Sequence, residues 1–285
     1  MLNTNPTLAQ ALAQAQNAGL PRLDARLLLL HLLERPPHDH AWLIAHDDTP
    51  LTPALWARWN ELITQRLSGI PVAYLTGRKA FYGLDLQIDP RVLDPRDDTE
   101  TLVDWALSVL PPDQPTRVLD LGTGSGAVAL AIAHQRPAAH VTATDASPDA
   151  LAVARVNGQR LNLPVRWLPG AWRDWFAPLA PGERFDLIVS NPPYVAEGDP
   201  HLSALAHEPR AALVSGHYGL DDIRRIITGA GAHLAPGGWL LLEHGHDQAQ
   251  AVRDLLAQAG YAQVQSCRDL AGIERCSGGK WISVT

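Results

Sequence analysis

The 285 residues contain only two cysteines, three phenylalanines and one methionine. Cys267 and Cys276 both fall late in the chain. That excludes a disulfide scaffold and fits a reducing compartment, so a cytoplasmic location is expected. No run of about 18 apolar residues occurs, so no membrane span and no membrane partner is expected. The start, Met1 to Pro6, has no basic stretch leading into an apolar one and does not read as a signal peptide. Positive charge is short: 23 Lys and Arg stand against 30 Asp and Glu, a net charge of −7. Such a balance is poorly suited to gripping phosphate backbones, so no direct nucleic-acid partner is expected. Metal-ligand spacing is missing too. His38, His40 and His46 form one group and His244 and His246 another, but no cysteine accompanies either, so no metal is expected. There is no internal repeat and no low-complexity tract.

What remains is ordinary globular composition, 46% hydrophobic and 19% charged, with enough apolar surface for a sizeable core. Length alone suggests two domains. Nine tryptophans are the one oddity.

The first stretch reads as a small helical bundle. Pro6 is expected to open a helix carrying Leu8 and Leu12, with Gly19 as its stop. Pro21 opens a second, with Leu23, Leu27 and Leu30 at helical spacing, ended by Pro36-Pro37. Trp42, Leu43 and Ile44 mark a third, and a fourth follows Thr52-Pro53 through Leu67. Phe81 to Ile88 alternates and predicts a strand in a hairpin, and a helix is expected from Asp98.

Beyond Pro115, short apolar runs alternate with helical patterns. Strands are expected at Val118–Leu121, His140–Thr144, Val165–Leu168, Phe185–Ser190, Trp239–Glu243 and Trp281–Val284. Helices are expected at Ala127–His134, Pro148–Asn157, Asp221–Leu234 and Gln248–Ala259. This alternation predicts an α/β fold with a doubly wound, mostly parallel sheet.

Two constellations carry chemistry. Asp120-Leu121-Gly122-Thr123-Gly124-Ser125-Gly126 joins a strand to a helix. Its glycines permit a sharp turn and close ligand approach, and the helix start offers N–H groups to an anion. The spacing is G-x-G-x-G rather than G-x-G-x-x-G, which leans away from a dinucleotide and from an NAD-dependent oxidoreductase. Asp145 ends the next strand, about 20 residues on, the place of a ribose-diol carboxylate. Ser147 before Pro148 is the better helix cap, which leaves Asp145 for a ligand. S-adenosylmethionine (SAM) fits this pair, with Asp120 attracting its ammonium.

The second constellation is Asn191-Pro192-Pro193-Tyr194, after the buried strand Phe185–Ser190. Two prolines fix the backbone and remove N–H donors while the carbonyls remain acceptors. The Asn191 oxygen adds an acceptor and Tyr194 a flat ring. Acceptors beside a flat ring suit a planar –NH2 group, whose nitrogen they aim and enrich. A turn after a strand is the bland alternative.

Here the sequence resembles the amino-methyltransferases of the class I SAM-dependent fold, and among them the HemK/PrmC family, protein-glutamine N5-methyltransferases that modify peptide-chain release factors. Pro71–Gly77 resembles the family's linker, and Val92 to Glu100 its "VLIPRPDTE" segment, with Asp94 and Asp97 departing from it. Glu208–Leu213, Gly219-Leu220, Leu242-Glu243 with Gly245 and Gln248, and Asp269–Gly272 resemble later stretches. His244 replaces a usual Ile, and the loop from Trp172 to Pro181 is long.

The resemblance implies a seven-stranded Rossmann-like methyltransferase domain over residues 96–285. A helical substrate-docking domain over 1–75 and a β-hairpin linker over 76–95 would precede it. Asp120, Gly122, Thr123, Gly124, Ser125, Gly126, Asp145 and Asn191 would then bind SAM, with Trp172, or its competitor Trp175, on the adenine. Asn191, Pro192 and Tyr194 would be catalytic and, with Pro193, would hold the glutamine of a Gly-Gly-Gln motif. The partner would be a class I release factor, and a monomer is expected. A nucleic-acid exocyclic-amine methyltransferase is the alternative enzyme, since a base amine is planar too. A regulatory module that binds SAM or a nucleotide without catalysis is the alternative from another class.

Overall fold

The computed structural model describes residues 5–282, and the chain divides into two compact units. One comprises residues 1–78 with 204–207, the other 79–203 with 208–285.

The first unit holds five helices among its described residues: α1 (Leu8–Asn17), α2 (Arg22–Leu32), α3 (His40–Ala45), α4 (Pro53–Leu67) and α5 (Val72–Thr76). Helix α1 starts later than Pro6 suggested. The chain is still extended at Pro6, whose carbonyl accepts from the Leu51 amide, and Thr7 is the cap. Thr7 Oγ1 accepts from the Gln10 amide while Gln10 Oε1 accepts from the Thr7 amide, a reciprocal pair that satisfies two orphan donors. Thr52 caps α4 in a similar way, with Pro53 in its first turn. The faces so presented bury Leu8, Leu28, Leu29, Leu43, Trp59 and Leu62 in one core. Helix α5 lies within the segment read as linker, and Gly77 closes it in the left-handed conformation.

The second unit opens on a hairpin of β1 (Arg78–Phe81) and β2 (Leu84–Gln87), whose first residue, Arg78, is the last of the first unit. The expected single strand from Phe81 to Ile88 is thus broken at its second and third residues. Tyr82 and Gly83, at φ 47° and 75°, form the two-residue turn that matches strand twist. After one tight turn at Asp97–Thr99, helix α6 (Glu100–Val109) leads into the sheet. There follow β3 (Arg117–Leu121), α7 (Ala127–Gln135), β4 (His140–Asp145), α8 (Pro148–Leu161), β5 (Val165–Pro169) and β6 (Phe185–Ser190). Then come α9 (Asp221–Ala230), β7 (Leu234–Glu243), α10 (Ala249–Gln258), β8 (Tyr261–Arg268) and β9 (Glu274–Trp281).

The seven strands run in the order β5-β4-β3-β6-β7-β9-β8, parallel except for β9 against its two neighbours. Three expectations shift. Helix α9 ends four residues early, and β7 starts five residues sooner than read, because a bulge over Ala235–Gly238 lets Leu234 pair with Phe185 before Trp239 pairs with Leu187. Strand β8 was not read at all: it is the half-exposed edge, so Gln263, Gln265 and Ser266 interrupt any apolar run. The last strand lies earlier than Trp281–Val284, covering Glu274–Trp281, and Ser283 and Val284 lie outside the described residues.

Leu187, Ile188 and Val189 of β6 are fully buried, as a strand covered on both faces must be. Helix α7 is buried from Ala127 through Ala133. The strand order reverses between β3 and β6, which opens a crevice at their carboxyl ends. The loops after these two strands are the glycine turn and Asn191–Tyr194.

Candidate active site

A cavity of about 670 Å³ occupies this crevice. Its walls include Asp120, Gly122, Gly124, Asp145, Asn191 and Pro193. The glycine turn and the Asn191 loop, 65 positions apart in sequence, thus face one space within the second unit.

The glycine turn is tied down from inside. The Gly122 and Thr123 amides both donate to the Thr144 carbonyl at 2.9 Å, and the Gly126 amide donates to Thr123 O. Gly124 N–H donates to Asp145 Oδ2 at 2.8 Å. These amides are therefore spent within the protein rather than offered to an anion, and the loop's contribution is shape. Gly124 sits at φ +56°, with nothing within 4 Å of where a Cβ would be, so the turn leaves open room there. Gly126, at φ +86°, faces Leu130 and Trp167 instead, and a Cβ there would crowd both.

Two carboxylates border that room. Ser147 caps α8 through Ala150, as its place before Pro148 predicts. Asp145 is nevertheless engaged: Oδ1 accepts from the Ser147 amide and Oδ2 from Gly124. Each oxygen keeps a lone pair for a ligand hydroxyl. Burial raises the Asp145 pKa, opposed by those two amides. Asp120 is only 1% exposed, and burial pushes it up to about 7, although the Thr123 hydroxyl donates to it at 2.6 Å. Neither carboxylate has an ion-pair partner among the described residues. The cavity therefore holds one buried and one partly buried carboxyl group suited to a cation.

Both candidate tryptophans line the cavity. Trp172 is 62% exposed, at its rim. Trp175 is half-buried, and its ring comes within 3.0 Å of a Cβ built on Gly122. Its indole N–H donates to Asp222 Oδ1 at 3.2 Å, and Asp222 in turn accepts from the Ser215 hydroxyl.

Across the crevice, the Asn191–Tyr194 loop is held at several points. The Tyr194 and Val195 amides donate to the Leu213 carbonyl, and Gln248 Nε2 donates to Tyr194 O. Asn191 Nδ2 donates to Thr99 Oγ1 at 3.2 Å. Tyr194 packs its ring against the core and gives its hydroxyl to Glu243 Oε1 at 3.3 Å. Burial raises the Tyr194 pKa, and burial also pushes Glu243 up to about 7. Sequence reasoning had not placed Thr99 in the site; nothing local to it signals a partner 92 positions away.

The departures noted in the sequence have local accounts. Asp94 is buried beside the Arg96–Glu208 ion pair, with Glu208 Oε2 accepting from the Asp94 amide. His244 is fully buried between the Gly245 carbonyl, to which Nδ1 donates, and the Ser277 hydroxyl, from which Nε2 accepts. Burial lowers its pKa, so it sits as a neutral hydrogen-bonding residue.

Comparison with known proteins matches both units. The description "PrmC N-terminal domain" fits residues 7–77 and "Methyltransferase small domain" fits residues 99–216. A release factor glutamine methyltransferase of Bordetella pertussis is 53% identical over 92% of this chain and 95% of its own length. The chain belongs to the release factor glutamine methyltransferase family. Another member, from Burkholderia pseudomallei, is 49% identical over 98% of this chain and 99% of its own. Among solved structures, a methyltransferase from Pyrococcus furiosus superposes with a TM-score of 0.53 at 21% identity, covering 79% of this chain and 98% of that one. That likeness speaks to the fold alone.

The chain is accordingly a SAM-dependent methyltransferase of the seven-stranded α/β fold. The residues present fit that cofactor. Gly124 leaves room where a side chain would intrude, and two carboxylates, Asp120 buried and Asp145 partly buried, lack the positive charge that a sulfonium and an ammonium carry. Among the described residues no helix is long and apolar enough to cross a membrane.

Proposed function

We propose that this chain transfers the methyl group of SAM to the side-chain amide nitrogen, N5, of the glutamine in the Gly-Gly-Gln motif of class I peptide-chain release factors. The observation that carries the reading is that Asn191 and Pro193 line the same cavity as the glycine turn and Asp145, so acceptor and donor share one space. The names of the relatives, which are release factor glutamine methyltransferases along nearly their whole length, support the choice of substrate.

When bound, SAM supplies an electrophilic methyl on a sulfonium. The protein's part is placement. In this reading Asp145 takes the ribose hydroxyls, Asp120 faces the cationic amino-acid end, and the turn from Gly122 to Gly126 gives that end room. Trp175, already packed against Gly122, is the better placed of the two tryptophans to flank the cofactor. Asn191 Oδ1 and the Pro192 carbonyl accept the two amide N–H bonds, which aims the nitrogen and increases its electron density. Pro193 shapes the slot, and Tyr194 braces the loop from the core side. An amide nitrogen is a poor nucleophile because its lone pair is delocalised, so orientation and charge placement carry the rate. No strong base is needed before transfer: the proton becomes acidic only as the N–C bond would form and the methyl–sulfur bond would break, so the neutral thioether would leave and the amide's extra proton would pass to solvent.

The helical unit acts as the docking module for the release factor, and the hairpin over 76–95 as its link to the catalytic residues 96–285. In this reading the chain works as a monomer, and the substrate puts the work in the cytoplasm. The test uses labelled SAM with a release factor, with the same factor carrying alanine for the motif glutamine, and with nucleic acid alone. Label in the intact factor only is expected, and Asn191→Ala should abolish most turnover while SAM still binds. Equal labelling of both factors, or labelling of nucleic acid, overturns the assignment.

A further inference from the structure

The Asn191–Tyr194 loop is gripped at its far end by a side chain outside the cavity. Gln248 is the cap residue of α10, partly buried and not among the cavity walls. Its main chain is fixed on both sides: its amide donates to the Gly245 carbonyl at 3.1 Å, and its carbonyl accepts from the Val252 amide at 3.0 Å. Its side chain does not cap α10. It makes three hydrogen bonds elsewhere. Oε1 accepts from the Gly245 amide at 2.8 Å. Nε2 donates to the Tyr194 carbonyl at 2.9 Å and to the Tyr218 carbonyl at 3.3 Å. The Gln248 amide can sit only this way round. A backbone N–H only donates and a backbone carbonyl only accepts, so a flip would lose all three bonds.

The Tyr194 carbonyl has a second neighbour. Gly219, at φ +71°, lies directly against it: a Cβ on this glycine would collide with the Tyr194 oxygen and fall 2.8 Å from Gln248 Nε2. The start of α10 and the turn before α9 thus meet on one oxygen. The other side of the residue is held as well, since the Tyr194 amide donates to the Leu213 carbonyl at 3.1 Å. Both peptide groups of Tyr194 are thereby fixed.

Little slack separates this grip from the reacting atoms. The Pro192 carbonyl, which takes one substrate N–H in the reading above, lies two peptide groups upstream of the Tyr194 carbonyl. Pro193 stands between them, its ring locking φ. Only ψ of Pro193 and the two dihedrals of Tyr194 can turn, and the two held peptide groups restrain them. We propose that Gln248 is a positioning residue for methyl transfer: it holds the Tyr194 peptide against Gly219 and so sets where the Pro192 carbonyl and the Pro193 ring stand. The inference rests on the glutamine-methylating function proposed above. Gln248 acts from behind the loop and does not touch the reacting atoms.

The test is steady-state kinetics with a release factor and SAM both saturating, alongside calorimetric SAM binding and a thermal melt, for the full chain and its variants. Gln248→Met keeps length and bulk and removes all three bonds. Its kcat should fall about 10- to 100-fold, the cost of a slightly misplaced reacting group, with SAM affinity unchanged. Gln248→Glu keeps an oxygen for Gly245 but turns the other on two carbonyls, and should lose at least as much. Gly219→Ala presses on the same carbonyl from the opposite side and should lower kcat too. Because both changes displace one oxygen, Gln248→Met combined with Gly219→Ala should lose clearly less than the product of the two single losses. Folded Gln248→Met or Gln248→Glu protein with kcat within about twofold of the parent overturns the inference. So does a loss that falls on SAM affinity, or single losses that simply multiply, since either means that Gln248 does not act through the Tyr194 carbonyl. A parent chain that does not methylate the release factor overturns the functional reading itself, and this inference with it.

Discussion

Asp120→Asn separates the cofactor's electrostatics from its shape. The free protein holds Asp120 at about 7, against an ordinary value of 3.8, because the group is buried with little to compensate its charge. A bound cation favours the ionised form, so binding must expel the proton carried by the neutral form. At pH 6 about ten in eleven molecules would carry that proton, and at pH 7.5 about one in four, which makes SAM affinity about eightfold weaker at the lower pH. Titration calorimetry in two buffers of different ionisation enthalpy reads this directly, with close to one proton released per SAM at pH 6. Asp120→Asn should bind SAM about 10- to 100-fold more weakly and with a flat pH dependence.

Stability should move the other way. The folded pKa lies above the unfolded one, so the folded state holds the extra proton between about pH 4 and 7 and loses that advantage as pH rises. Above pH 7 the ionised group is a burden whose upper bound is about 4 kcal/mol. Removing it and burying an amide instead should leave a gain of about 1–3 kcal/mol at pH 8, and less at pH 5. Thermal melts of the SAM-free protein at the two values measure it. A variant that keeps the parental pH dependence of SAM binding shows that another group titrates and refutes the assignment to Asp120.

Three other substitutions test separate parts of the account. Trp175→Ala should weaken SAM binding about tenfold, the worth of a half-buried indole, while Trp172→Ala at the exposed rim should change it less than about twofold by calorimetry. Asn157 is fully buried; its side chain accepts from the Gln87 amide and donates to the Gln87 and Ser125 carbonyls, tying the hairpin to the glycine turn. Asn157→Ala strands those groups and should cost about 2–3 kcal/mol, lowering the thermal midpoint by about 5–10 °C.

Much of the site is legible in the sequence because its key stretches are short and covalently contiguous. A glycine turn between a strand and a helix, an aspartate one strand later, and Asn-Pro-Pro-Tyr after a buried strand each announce themselves locally. The shared cavity then follows from the strand order, which alternation alone leaves open and the folded sheet shows. Groups assembled from afar are not legible. Thr99 meets Asn191 across 92 positions, and Glu243 meets Tyr194 across 49; the family-like segments that contain Thr99 and Glu243 do not say which side chains they meet. The register after β5 also resists reading, since only folding shows that Trp175 lies against Gly122 and Trp172 at the rim. Among the elements, β8 escaped because an edge strand need not be apolar, and the start of α1 shifted because Thr7 caps better than Pro6 begins. The tryptophan excess becomes intelligible in part. Trp59 and Trp105 are core, while Trp167 and Trp175 fill the space that Gly126 and Gly122 leave.

The central claim is the identity of the methylated atom. Tandem mass spectrometry of a release factor incubated with this protein and SAM tests it most directly. The account predicts one added methyl on the fragment containing Gly-Gly-Gln, localised to the glutamine side-chain nitrogen and lost when Asn191 is alanine. A methyl on the backbone, on another residue, or on no part of the factor would contradict it.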